Sequence, residues 1–237
     1  GERCFFNDQI YWSNLFYNTD VFVSYGQEWK KYTSRIIDNF RTNSISIGSK
    51  YHKKLYENYF YNDVKQTKKI LYIPNSFVSE ARQFANSKII DPILYDWQKY
   101  LLETLQDLNY DVIYKNHPKG FFQSINNLHN FTKNKKNNNQ LLASYFNSVN
   151  TVIVDYAGSG FVDALCAGKD IIYIDLKQRP FDSCNFNKFN SCIKIVPTYI
   201  KNKTYYLDTM KLIKALETPH KCLKSQKNLV YDFFING

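Results

Sequence analysis

The residues best suited to chemistry lie in Asp155-Tyr-Ala-Gly-Ser-Gly160, a turn that the flanking pattern places between a strand and a helix. Small residues there let the backbone approach a ligand closely. A helix N-terminus adds unpaired N–H groups with about half a positive charge. Ser159 contributes a hydroxyl donor, so Gly158, Ser159 and Gly160 read as a phosphate cradle. A tight turn with an ordinary helix cap would carry the same residues. The dinucleotide fingerprint GxGxxG is excluded, because Asp163 stands where it needs glycine. A P-loop is excluded as well: Lys169 is followed by Asp170, and no glycine stands five residues before Gly168.

A second group is Lys115-Asn-His-Pro-Lys119. Pro118 biases His117 toward extended geometry, which turns the imidazole outward at a strand end. Flanked by Lys115 and Lys119, it is placed to donate to a phosphate oxygen or to act as acid or base. A surface histidine in a loop is the plainer alternative. Asp163 is expected in the first helical turn, where it either complements the helix dipole or accepts from a ribose hydroxyl. Asn75 and Ser76 follow a strand and are placed to line the same cleft for a nucleotide's ribose or base. Glu28, after Tyr25-Gly26-Gln27, is a candidate base, with a solvated helix-start glutamate as the bland reading. Ile47-Gly-Ser49 is another strand-end turn, and Arg179 is placed to reach a phosphate or a base, or to pair with Asp182. His52, His129 and His220 have no ligand spacing, so no metal site is expected, nor any cofactor.

These residues need elements to position them. Apolar runs predict strands over 20–26, 44–47, 69–74, 110–115, 151–155 and 170–175. Helical spacing covers 28–40, with Trp29, Tyr32, Ile36, Ile37 and Phe40 on one side, and 92–108, with Asp91 as cap and Pro92 in the first turn. Shorter helices are expected over 141–146 and 161–166, the latter ended by Gly168. Residues 51–67 read as helix followed by linker, and 133–140 as an exposed polar loop. Alternating strands and helices predict an α/β fold with a mostly parallel sheet. Ligands bind such sheets beyond the carboxyl ends of the strands, where both His117 and the 155–160 turn fall.

Composition bounds the classes. The chain has 237 residues, 44% of them hydrophobic and 17% aromatic, which excludes disorder and fits one large domain or two small ones. No apolar run reaches the roughly 18 residues of a membrane span. Five cysteines without a CxxC pair argue against a disulfide framework or zinc ribbon and for a reducing, cytoplasmic setting. The net charge of +10 favours polyanions such as nucleotide phosphates, an anionic membrane face or nucleic acid. The 41 aromatics (20 Tyr, 18 Phe, 3 Trp) sit mostly at core-like spacings and no RRM or KH signature occurs, so nucleic acid is not the expected partner. The only methionine is Met210, so the sequence reads as a piece of a longer protein.

The order Lys115-Asn-His-Pro118, short helix, Asp155-Tyr-Ala-Gly-Ser-Gly-Phe-Val-Asp-Ala-Leu165, Gly168-Lys169 and strand resembles GT-B-fold transferases of bacterial surface-polysaccharide assembly. That group includes capsule-type glycosyltransferases and CDP-glycerol glycerophosphotransferases. The resemblance covers about Asp20 to Asp182, and Val21 to Tyr51 looks like the tail of a first GT-B domain. It implies a mostly parallel Rossmann-like sheet flanked by helices, with residues 1–66 ending an acceptor-side domain and 67–237 forming a nucleotide-sugar-binding domain. It also implies a metal-independent glycosyltransferase using a CMP- or UDP/GDP-linked sugar and a surface-glycan or lipid-linked acceptor, at the inner membrane face. Lys115, His117, Gly158, Ser159 and Gly160 would hold the donor phosphate, Asp163 its ribose. A CDP-glycerol-type polyol-phosphate transferase is the alternative, though Gly158 stands where that branch commonly has serine. A basic nucleic-acid-binding module and an epimerase-like enzyme of the same fold are further alternatives.

Overall fold

The computed structural model describes residues 19–37, 42–62, 68–77, 89–116, 127–132, 140–179, 181–218 and 223–237. The first strands among the described residues are a small parallel pair, β1 (Val21–Ser24) and β2 (Asn43–Ser46), with Val21 opposite Asn43 and Ser24 opposite Ser46. Helix α1 (Gln27–Ile37) connects them and buries Trp29, Thr33 and Ile37, a one-face spacing of four residues. Helix α2 (Lys50–Tyr59) follows, capped by Ser49, whose side chain accepts the His52 N–H. The expected helix-then-linker segment is thus a helix of ten residues at its start.

The main sheet runs in the order β4-β3-β5-β6-β7-β8. Its strands are β3 (Lys69–Ile73), β4 (Asp111–Tyr114), β5 (Thr151–Val154), β6 (Asp170–Asp175), β7 (Lys194–Lys201) and β8 (Thr204–Leu207). All neighbours are parallel except β7 and β8. The α/β class with a mostly parallel sheet is therefore present as expected. Alternation assigns the faces: Leu71, Val152, Val154, Ile171 and Tyr173 join one apolar cluster, while Ile70, Tyr72, Ile153, Ile172 and Ile174 join the other. The first cluster also takes in Trp29, Leu55 and Phe60, so both sheets share one core.

Helix α3 (Asp91–Asp107) covers the second face with Leu94, Trp97, Leu101, Leu102 and Leu105. Its cap differs from expectation. Ile90 is the N-cap without a side-chain bond, and Asp91 is the first helical residue beside Pro92. Helices α4 (Leu142–Tyr145) and α5 (Ser159–Cys166) flank β5, and α6 (Phe186–Cys192) precedes β7. Gly168 ends α5 with φ +66, and an added Cβ would lie 2.5 Å from the Phe60 carbonyl oxygen, so both conformation and space demand glycine.

Beyond β8 come α7 (Thr209–Glu217), capped by Asp208, and α8 (Leu223–Val230), which runs into a π-helical turn, Tyr231–Ile235. This tail returns to the small sheet. The Gln27 N–H donates to the Asn236 carbonyl (3.1 Å) and the Ser49 N–H to that of Phe234 (2.8 Å). A Cβ on Gly26 would collide with the Asp232 carbonyl, and one on Gly48 with that of Ile235. Among the described residues, no helix is long and apolar enough to cross a membrane.

Candidate functional site

In sequence order the five parallel strands of the main sheet lie 2-1-3-4-5, so the connections diverge between β3 and β5. Crevices at such a point, beyond the carboxyl ends, are where α/β sheets bind ligands. Asn75 and Ser76 follow β3, and Asp155 to Gly160 follow β5, so the structure places these candidates side by side. Lys115 follows β4 on the far side of β3, at the same edge of the sheet. It is half-buried, its N–H donates to the Tyr72 carbonyl (2.9 Å), and burial lowers its ammonium pKa. His117 lies outside the described residues.

Between the carboxyl ends of β3 and β5 lies a polar network around Asp155, which is 1% exposed. Its carboxylate accepts from Tyr72 Oη (2.6 Å), Trp97 Nε1 (3.0 Å) and the Asn75 N–H (2.5 Å). Burial raises its pKa, and these three donors oppose the rise. Asn75 continues the network: Nδ2 donates to Gln178 Oε1 (3.3 Å), and its carbonyl accepts from Gln98 Nε2 (2.8 Å). Asn75 thus ties the segments after β3 and β6 to α3. Arg179 does the same from β6, donating from Nη1 to the Ala157 carbonyl (3.2 Å) with its guanidinium 5.5 Å from the Tyr156 ring centroid.

Helix α5 begins at Ser159, two residues before the expected start, because the Gly158 carbonyl accepts the N–H groups of Phe161 (3.1 Å) and Val162 (3.3 Å). The N–H groups of Ser159 and Gly160 have no acceptor among the described residues. Gly158 is the N-cap and brings no side-chain cap bond, and Ser159 is exposed. The two glycines differ in reason. A Cβ on Gly158 would meet only the Tyr156 ring at 3.5 Å, whereas one on Gly160 would press on Ile73 (3.0 Å) and Leu142 (3.3 Å). Gly160 is small for packing.

The earlier helix start moves Asp163 into the second turn, one turn below Ser159 on the same face, so the dipole role expected for it falls. Its carboxylate instead meets α2. Tyr51 Oη donates to Oδ2 (3.0 Å), and His52 Nε2 lies 3.7 Å from Oδ1. Burial pushes Asp163 up to about 6, with the Tyr51 hydrogen bond opposing. Burial pulls His52 down to about 4, its ring held among Tyr25, Tyr51 and Phe234. Cys166, one turn further along α5, is buried, and burial pushes its thiol up.

Other candidates fall away from this junction. Glu28 is held by Lys31 Nζ and Lys188 Nζ (both 2.6 Å), which keep its carboxyl below the usual range and make it a poor proton acceptor. The turns at Gly26 and Gly48 are filled by the returning tail, so neither opens to a ligand. Sequence reasoning passed over Tyr51 and His52 as partners of Asp163. Their one local signal is their place immediately after the cap Ser49, at the end of a strand. No family model matches this chain, and no curated protein matches it either.

Proposed function

We propose that the chain is the nucleotide-binding part of a GT-B-type glycosyltransferase, which moves a sugar from a nucleotide-activated donor to a surface-glycan or lipid-linked acceptor. On this reading residues 1–66 end an acceptor-side domain and residues 67–237 form the donor side. The observation that carries it is the convergence at α5. Two open N–H groups and the exposed Ser159 hydroxyl lie one helical turn, about 5 Å, from a carboxyl that α2 supports through Tyr51. That spacing suits a nucleotide whose phosphate rests on Gly158, Ser159 and Gly160 and whose ribose reaches Asp163.

A departing nucleotide develops negative charge, and fixed N–H dipoles stabilise it without reorganising. Lys115 at the same sheet edge adds positive charge, and His117 is the acid–base residue of the proposal. The polyol-phosphate reading shares this cradle, but Gly158 in place of the serine common in that branch favours the sugar reading.

Thermal shifts with CMP, CDP, UDP and GDP test it. One of them raises Tm, by the equivalent of about 2.7 kcal/mol at a hundred times its Kd, and Ser159→Ala shrinks the shift without lowering the ligand-free Tm. No shift with any nucleotide, or an undiminished shift in the variant, overturns the reading.

A further inference from the structure

Strand β7 pairs with β6 only as far as Pro197, opposite Asp175, and Thr198–Lys201 continue past the end of β6. At about 3.3 Å per residue the overhang is about 13 Å. It projects from the carboxyl edge of the sheet, the edge that bears Asn75, Asp155 and Arg179. Strand β8 folds back along it, from Lys201 opposite Thr204 to Thr198 opposite Leu207. The two turn residues, Asn202 and Lys203, have φ of 50 and 64, as in a type I′ hairpin.

Aromatic contacts stiffen this prong. Tyr199 stacks on Tyr206 (5.9 Å), Tyr206 meets Tyr100 of α3 edge-on (5.3 Å), and Tyr205 meets Trp97 (6.5 Å). Thr198 Oγ1 donates to the Asp175 carbonyl (2.7 Å). Yet its outer part offers apolar surface to solvent: Tyr199 is 54% and Ile200 61% exposed, followed by exposed Lys201, Asn202 and Lys203.

We propose that this prong docks the chain on an anionic lipid bilayer, with Tyr199 and Ile200 at the headgroup boundary and Lys201 and Lys203 against acidic headgroups. An exposed tyrosine and isoleucine just below a turn that carries two lysines, whose stems can lie along the interface, is the combination that membrane boundaries favour. Protection of an open sheet edge would account for the lysines, but it disfavours an exposed isoleucine. Single-stranded nucleic acid would want open aromatic faces along a groove, whereas Tyr206 covers one face of Tyr199 on a projecting hairpin. The net charge of +10 complements the acidic leaflet. Docking here sets the bilayer against the mouth of the crevice. That this serves a lipid-linked acceptor rests on the transferase reading; the docking itself does not.

The test is flotation of the chain with phosphatidylcholine vesicles, with or without abundant phosphatidylserine. The chain floats only with the serine lipid. A lysine near the surface is worth about 1 kcal/mol, so Lys201→Ala with Lys203→Ala lowers the partition coefficient about thirtyfold, and Ile200→Ser lowers it separately. Failure of the chain to bind serine-lipid vesicles, undiminished binding by the double variant, or displacement from vesicles by single-stranded DNA through the same lysines overturns the proposal. Nucleotide thermal shifts on the same variants stay unchanged. Docking without any nucleotide shift would therefore count against the transferase reading alone, and a shift without docking against the prong alone.

Discussion

Asp163 and His52 face each other with opposite responses to burial, and together they set how stability depends on pH. Asp163 titrates at about 6 in the fold against about 3.9 in the unfolded chain. His52 titrates at about 4 against about 6.5. Between those limits folded Asp163 keeps a proton that the unfolded chain has shed. Its stabilisation is full below the unfolded value and is lost as pH rises through about 6. The unfolded His52 binds a proton that the folded one refuses. Its stabilisation is full above about 6.5 and is lost as pH falls toward 4. Each slope is about 1.4 kcal/mol per pH unit, over about two units, and the signs oppose. The two cancel, so the chain's stability varies little between pH 4 and 6 on account of this pair. Asp163→Asn keeps an acceptor for Tyr51 and removes one slope, so its stability relative to the unsubstituted chain rises by about 3 kcal/mol from pH 4 to 6. His52→Gln falls by a similar amount. Urea unfolding at half-unit pH steps reads both differences through the midpoint. Two flat difference curves would refute the burial argument for the junction.

Three further substitutions test how the candidate site is built. Gly48→Ala drives a Cβ into the Ile235 carbonyl and lifts the tail, losing the Ser49–Phe234 and Gln27–Asn236 bonds. At about 1 kcal/mol each the loss is about 2 kcal/mol or more, seen as a lower Tm, whereas Gly158→Ala, with only the Tyr156 ring nearby, changes Tm little. Asp155→Ala strands three buried donors, on Tyr72, Trp97 and Asn75, at about 1–3 kcal/mol each, so denaturant unfolding should show a loss of at least about 3 kcal/mol.

Strands buried on both faces were legible because they are continuous apolar runs, Ile70 to Ile73 and Ile171 to Ile174 among them. Strands β7 and β8 were not: they form an antiparallel edge, with Pro197 and two lysines in one and tyrosines in the other. The start of α5 was misplaced because Gly-Ser-Gly reads as a turn, while the hydrogen bonds count Ser159 as helical. Ser159 was singled out because a hydroxyl in a strand-to-helix turn is a local signal, and it lies exposed at the start of α5. Tyr51 as partner of Asp163 and Lys188 as partner of Glu28 were not, since they are 112 and 160 residues away. Local spacing carries no information about such pairs.

The tail decides which strand-end turns are filled by backbone. By sequence the turns after β1, β2 and β5 share one feature: each puts glycine before a helix start, where N–H groups lack intrahelical acceptors. After β1 and β2 the carbonyls of Asn236 and Phe234 each take one N–H, those of Gln27 and Ser49, and the tail backbone fills the space beside Gly26 and Gly48. A helix end satisfied by a neighbouring carbonyl has a partial negative charge where a phosphate would need a positive one. Among the described residues the tail backbone stands against the starts of α1 and α2 but not against that of α5, and α2, oriented by the same tail through Ser49, brings Tyr51 and His52 to Asp163. The residues that close two sites therefore position the wall of the third.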